Sequence, residues 1–352
     1  MDRTKSIGGV LDKLALSGTV ERESNNEGQD VNLPGVGIDR RTLKYKIPKK
    51  KWITLMTCLA LIEVAKESGE SEWEKRYRNS YYCLDNIKTQ NGQAHGLFCK
   101  NRFCLVCASI RKGTFINKLL PEIQKWEEPY FVTLTSKSQP RMNLRKWMEG
   151  MSRSFELINR RLRRRYERGT GPKPIGIRCL ECNFNPIRKT YNPHLHLIVS
   201  SKEIAESFVE EWLRTWTDKY THPNAQDLRP IRKSLDDLIE TIKYGAKIFT
   251  DPDMIKRKSH RTKKPKVYAA ALHEIYKSMK GRNLISTFGF KQSNVKPVKK
   301  LNESTTSALK EWIYNVDVKD WVDCDTGQLM TDFKSEGGLE NLFKHRIDTS
   351  LY

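Results

Sequence analysis

The sequence predicts an α+β fold in which an antiparallel sheet carries flanking helices, with a small cysteine-rich segment beside it. Two apolar segments, "IGIRCLECNF" (175–184) and "HLHLIVS" (194–200), flank the turn-rich "NPIRKTYNP", which signals a hairpin and so antiparallel pairing. Strand and helix patterns alternate elsewhere, but the hairpin argues against a doubly wound sheet, and neither a repeat nor a glycine-rich phosphate loop is present. Six of the eight cysteines fall in two clusters rather than being spread as a disulfide framework would be.

Taken in order, residues 1–45 are polar, with "ERESNNEGQD" in their midst, and are expected to form a flexible tail. Residues 51–67 read as a helix, and the cysteine-rich segment 81–112 follows, within a region spanning 46–125. "YFVTLT" (130–135) reads as a strand by its aromatic and β-branched content, and 143–168 as a long basic helix. After the hairpin come a helix with two tryptophans over 203–219, one from Leu235 to Phe249 stopped by Asp251-Pro252, and one over 267–280. "RNLISTFGF" (282–290) is the last expected strand and closes a main domain of 126–292. Residues 293–352 form a tail or accessory region, with a helix expected near 304–313 and no assignable chemistry.

The chain has 352 residues, enough for one large domain or two ordinary ones. It carries 64 Lys and Arg against 42 Asp and Glu, a formal charge of +22, so it should attract polyanions. Nucleic acid is the leading partner, with an anionic membrane surface the competitor. No stretch approaches the roughly 20 apolar residues of a membrane span, and the first thirty residues lack a signal-peptide core, so a cytoplasmic protein without a membrane partner is expected.

His194 and His196, two apart on a strand, project to one face, while Leu195 and Leu197 point to a core on the other. A hairpin turning around Ile187–Thr190 sets Glu181 across from them on that same face. Two imidazoles and a carboxylate with open positions can hold Mg2+ or Mn2+ against a phosphate oxygen. The competing readings are an accidental histidine pair and a solvated strand carboxylate. In "IETIKYGAKIF" (239–249), Glu240, Tyr244 and Lys247 fall on one helical stripe. A nearby metal and the Lys247 ammonium could activate Tyr244 as a nucleophile, and Glu240 could serve as a base. An ordinary charged surface face is the alternative there.

Cys99, Cys104 and Cys107 make C-x4-C-x2-C, and a fourth ligand, Cys83 or His95, would complete a structural Zn2+ site. Cys179 and Cys182 point to opposite faces of a strand and are assigned to packing. "NRRLRRRYER" offers Arg160, Arg161, Arg163, Arg164 and Arg165 for DNA phosphates, against the alternative of a solvated face.

In the order "FVTLT", "NPHLHLIVS" and "KYGAKI", the chain resembles the rolling-circle replication initiators of small plasmids, in the HUH endonuclease superfamily. The likeness takes in "ECNFNPIRKTYNPHLHL", "CKNRFCLVC" and "GRNLIS", and covers about 81–290. It implies an HUH-type nicking domain at 126–292 that binds origin DNA as a single strand or hairpin. His194 and His196 would hold the catalytic metal, and Tyr244 would form a 5′-phosphotyrosyl link and free a 3′-OH primer. Glu240 would promote the hydrolytic end of the cycle. The resemblance favours Cys83 as the fourth zinc ligand, since the family tends to place a cysteine upstream of this cluster. It also implies a host helicase and a DNA polymerase as partners. An HUH transposase or relaxase, or a non-catalytic zinc-bearing nucleic-acid binder, is the alternative.

Overall fold

The computed structural model describes residues 40–90, 93–231, 267–290, 310–334 and 347–349. It divides into two compact units, the first drawing on residues before 116, on 267–273 and on the C-terminal strands, the second on 116–231 and 274–290. No described helix is long and apolar enough to cross a membrane.

In the first unit, α1 (Arg40–Glu67) and α2 (Ser71–Tyr81) precede a hairpin of β1 (Asn86–Gln90) and β2 (Gln93–Gly96). The helix starts at Arg40, so the segment expected as a tail is helical from there. Gly96 is required by close approach: an added Cβ would lie 2.4 Å from Leu84 Cδ1 and 2.9 Å from the Asn86 carbonyl oxygen. Helix α3 (Leu105–Ile123) begins directly after Cys104. Two more strands, β9 (Lys310–Asn315) and β10 (Asp320–Asp323), complete a sheet ordered β10-β9-β1-β2.

The helix expected near 304–313 is thereby corrected over its described part, since Lys310 onward is strand. "KEWIYN" alternates Trp312 and Tyr314 toward the core with an exposed Ile313 between them, a period of two. Trp321 is fully buried and its indole N–H donates to the Leu84 carbonyl at 2.8 Å, fastening these strands to the cysteine segment. The fully buried Lys51 ammonium donates to the Tyr81 carbonyl at 2.7 Å and pairs with Asp85, which compensates its loss of water. A short parallel pair joins β7 (Val267–Tyr268) to β11 (Ile347–Asp348).

The second unit is built on a five-stranded sheet ordered β6-β3-β5-β4-β8, antiparallel throughout. Its strands are β3 (Tyr130–Thr135), β4 (Gly176–Asn185), β5 (Thr190–Val199), β6 (Asp227–Pro230) and β8 (Ile285–Phe288). The expected hairpin is β4–β5, its turn confined to residues 186–189, and both strands run further into the turn-rich stretch than its composition implied.

One face of the sheet carries α4 (Leu144–Glu167) and α5 (Lys202–Tyr220). On α4, Leu144, Met148, Met151, Phe155, Ile158 and Leu162 recur at alternating spacings of four and three, and all are buried. Each such side chain contributes about 1.5–3 kcal/mol by leaving water. Phe155 stacks on Phe208 at 5.5 Å and meets Phe288 of β8 edge-on, also at 5.5 Å. The helix expected over 267–280 is α6 (Ala269–Met279). The expected helix from Leu235 to Phe249 lies outside the described residues.

Candidate functional site

The face of the five-stranded sheet opposite α4 and α5 gathers the polar residues. In register, Glu181 of β4 faces His194 of β5, and Cys179 faces His196. On the other side of β5, Thr133 of β3 faces His196 and Thr135 faces His194. Alternation sends Leu195 and Leu197 to the helix-covered face, where both are fully buried.

Glu181 Oε2 lies 3.6 Å from His196 Nε2 and 3.8 Å from His194 Nε2. These separations are too long for hydrogen bonds, but two bonds of about 2.1 Å to one ion set ligand atoms about 3.0–4.2 Å apart. The outer ring nitrogens are occupied: His194 Nδ1 lies 3.0 Å from the Asn192 carbonyl and His196 Nδ1 lies 3.1 Å from Thr133 Oγ1. A carbonyl only accepts, so His194 Nδ1 carries the proton, and in the neutral ring the Nε2 lone pair is left for a metal. Glu181 is 3 % exposed, and its Oε1 is buried without a hydrogen-bond partner among the described residues. A buried carboxylate oxygen with no donor is costly, and a divalent cation would relieve it. The residues therefore fit such an ion.

Around the triad, the Phe131 ring stacks on His196 at 5.0 Å, and the Arg229 guanidinium lies over Phe131 at 4.9 Å. Thr133 and Phe131 were not singled out from the sequence. The signal was available, because alternation along "FVTLT" puts both on the histidine face once β3 and β5 are paired.

In the first unit, the sulfurs of Cys83, Cys99, Cys104 and Cys107 converge, all within 4.8 Å of one another. Cys107 Sγ is 3.6 Å from Cys83 Sγ and from Cys99 Sγ, and none of the four is in a disulfide. A tetrahedral ion with bonds of about 2.3 Å would space its sulfurs about 3.8 Å apart, so the donor set fits a metal. His95, on β2, stands outside this group. Backbone N–H groups of Asn101 and Cys99 donate to Cys99 Sγ and Cys83 Sγ, each at 3.4 Å, and Ser80 Oγ donates to Cys99 Sγ at 3.3 Å. Thiol hydrogen bonds, that from Cys104 foremost, hold Cys99 well below the ordinary thiol range, while burial pushes Cys104 well above it. Cys179 and Cys182 are buried on opposite faces of β4, in the second unit.

The five arginines of α4 singled out for DNA phosphates divide. Arg165 Nη2 and Arg161 Nη1 lie 2.9 Å and 3.3 Å from the carboxylate of Glu211, which is 1 % exposed and also pairs with Arg214. Arg160, Arg163 and Arg164 are exposed, with Arg163 3.5 Å from Glu167. Tyr244, Glu240 and Lys247 lie outside the described residues.

A family model described as Rep_1, replication protein, matches residues 90–322. The match includes the Glu181, His194 and His196 triad and three of the four clustered cysteines, and runs past the 290 at which the sequence resemblance stopped. Protein rep of Streptococcus pneumoniae serotype 2 (strain D39 / NCTC 7466) is 28% identical over 214 residues, covering 54% of this chain and 65% of that protein. Protein rep of Staphylococcus aureus is 30% identical over 180 residues, covering 46% of this chain and 73% of its own. The chain thus spans slightly less than two thirds of the pneumococcal protein's length. No solved structure matches significantly.

Proposed function

The chain belongs to the Rep_1 replication protein family, and we propose that it initiates rolling-circle replication of a plasmid by nicking one strand of the origin. The observation that carries this reading is the triad of Glu181, His194 and His196, whose inward atoms are spaced for one ion and whose outer ring nitrogens are already engaged. Mg2+ or Mn2+ held there would polarise the scissile phosphate as a Lewis acid. Glu181 brings the negative charge, the two Nε2 lone pairs complete the donor set, and Asn192 and Thr133 keep the rings from turning.

Tyr244 would then attack. Its Oη forms a bond to phosphorus as the bond from phosphorus to the 3′ oxygen breaks. The phenolic proton is given up to solvent, and the departing oxygen takes a proton to become the 3′-OH primer. The ammonium of Lys247 would favour the phenolate, and Glu240 would act as base on the water that later resolves the 5′-phosphotyrosyl link. These three roles rest on the Y-x-x-K spacing and the resemblance. Zn2+ at Cys83, Cys99, Cys104 and Cys107 would be structural. The DNA would be the origin as single strand or hairpin, handed on to a host helicase and polymerase in the cytoplasm.

The test is to incubate variants with single-stranded origin oligonucleotides labelled at the 5′ or the 3′ end and resolve the products on a denaturing gel. Label should migrate with protein only when it lies on the 3′ side of the cut. Tyr244→Phe should abolish the adduct and Glu240→Ala should retain it. An adduct with Tyr244→Phe would make another residue the nucleophile.

A further inference from the structure

We propose that the partly buried rings of Trp147, Trp216 and Tyr220 form a stacking platform for unpaired bases of single-stranded DNA leading to the metal centre. The ligand rests on the nicking reading above. The place rests on geometry. Trp147 lies 5.1 Å from Trp216 and 5.5 Å from Tyr220, centroid to centroid, and Trp216 sits on the fully buried Trp212 at 5.4 Å. All three outer rings keep part of their surface in water. Partly exposed aromatic residues on a chain of charge +22 suit a ligand that is both anionic and able to stack.

The cluster, which belongs to the helix-covered side of the sheet, is anchored to the end of β3 that lies beside the triad. Thr135 stands opposite His194. Its carbonyl accepts from Trp212 Nε1 at 2.8 Å, the next residue's Ser136 Oγ accepts from Trp147 Nε1 at 2.7 Å, and Lys137 N donates to the Tyr220 carbonyl at 2.7 Å. Two residues of chain span at most about 7 Å, so these anchors sit close to the end of β3 that faces the triad.

Between Trp216 and Tyr220, Thr217 takes φ 55 and ψ 166 and breaks the helix. A β-branched residue in that region is strained, and such strain persists only where its surroundings hold it. Across the break the Tyr220 ring stands at 84° to Trp216. Trp216 Nε1 is buried with no hydrogen-bond partner among the described residues.

The rim is basic. Lys219 Nζ lies 5.2 Å from the Tyr220 ring, and Lys137 and Lys146 are exposed. Asp218 is exposed among them, while the nearby Glu149 is paired with Arg153. Only a single strand presents base faces to such rings, since in a duplex they are stacked on one another.

The test uses the full, zinc-loaded chain without added Mg2+ or Mn2+ and a fluorescent 12-mer of thymidylate, which lacks the origin, read by anisotropy, with a labelled duplex of the same length as comparison. Tyr220→Ala and Trp216→Ala should each weaken single-strand binding roughly ten-fold, Tyr220→Phe should stay close to wild type, and duplex binding should not change. Should Trp216→Ala fail to fold by circular dichroism, Tyr220→Ala carries the stacking test alone. Wild-type single-strand affinity in Tyr220→Ala, or equal loss on the duplex, would overturn the platform. Binding to this oligonucleotide without Mg2+ or Mn2+ does not depend on cleavage. A wild-type chain that never nicks would therefore remove the nicking reading and leave the platform, and the reverse pattern would do the opposite.

Discussion

His196 owes its orientation to a hydroxyl. Thr133 Oγ1 is the partner of its Nδ1, whereas His194 is held by a main-chain carbonyl that no substitution at Asn192 deletes. Thr133→Val keeps the strand's shape and removes the hydroxyl, so Mn2+ affinity, followed by electron paramagnetic resonance, should fall about 10- to 100-fold. Asn192→Ala should leave it nearly unchanged. Equal behaviour of the two would mean that the ring is fixed by packing against Phe131 instead. The triad itself was legible in the sequence because strand alternation needs only a residue count. Thr133 was not singled out, since its role appears only when β3 is placed beside β5, a long-range pairing that no local pattern encodes.

At the scale of elements, the arginines of α4 divide between ion pairs with the buried Glu211 and solvent. Arg161 and Arg165 compensate the buried charge of Glu211 and tie α4 to α5. Replacing either by Ala should lower stability by about 1–3 kcal/mol in urea unfolding. Replacing the exposed Arg160, Arg163 and Arg164 should leave stability within about 0.5 kcal/mol. Neutralising that outward set should instead flatten the salt dependence of DNA binding, by about 0.7 in log–log slope for each single-strand phosphate left without its arginine. A drop in stability confined to the outward set would reverse the assignment. The run "NRRLRRRYER" reads as uniformly basic, and which arginines turn inward depends on Glu211 of a helix 46 to 50 residues away. The same limit explains β9: its period of two spans six residues, and its partner β1 lies more than two hundred residues earlier.

For the whole molecule, the cysteine cluster should act as a staple on the first unit. Its residues join the same apolar cluster as Ile47, Leu55, Tyr314 and Trp321, so metal there would brace helix, hairpin and C-terminal strands together. Freshly reduced protein should contain about one zinc per chain. Cys104→Ser or a strong chelator should release it and lower the melting temperature, because metal binding at such sites is coupled to folding. Zinc-free protein that melts at the same temperature would make the four cysteines ordinary buried thiols. Thiols must lose their protons to bind, so zinc should also be released more readily as pH falls.

The most direct test of the metal centre is cleavage of supercoiled plasmid carrying the cognate origin, titrated with Mn2+, by wild-type protein and the His194→Ala, His196→Ala double variant at protein concentrations that saturate DNA binding. The account predicts Mn2+-dependent nicking by the wild type and none by the double variant, with binding to the same DNA largely retained, because basic side chains rather than the metal supply the affinity. Undiminished nicking by the double variant, or loss of binding in step with loss of nicking, would contradict it.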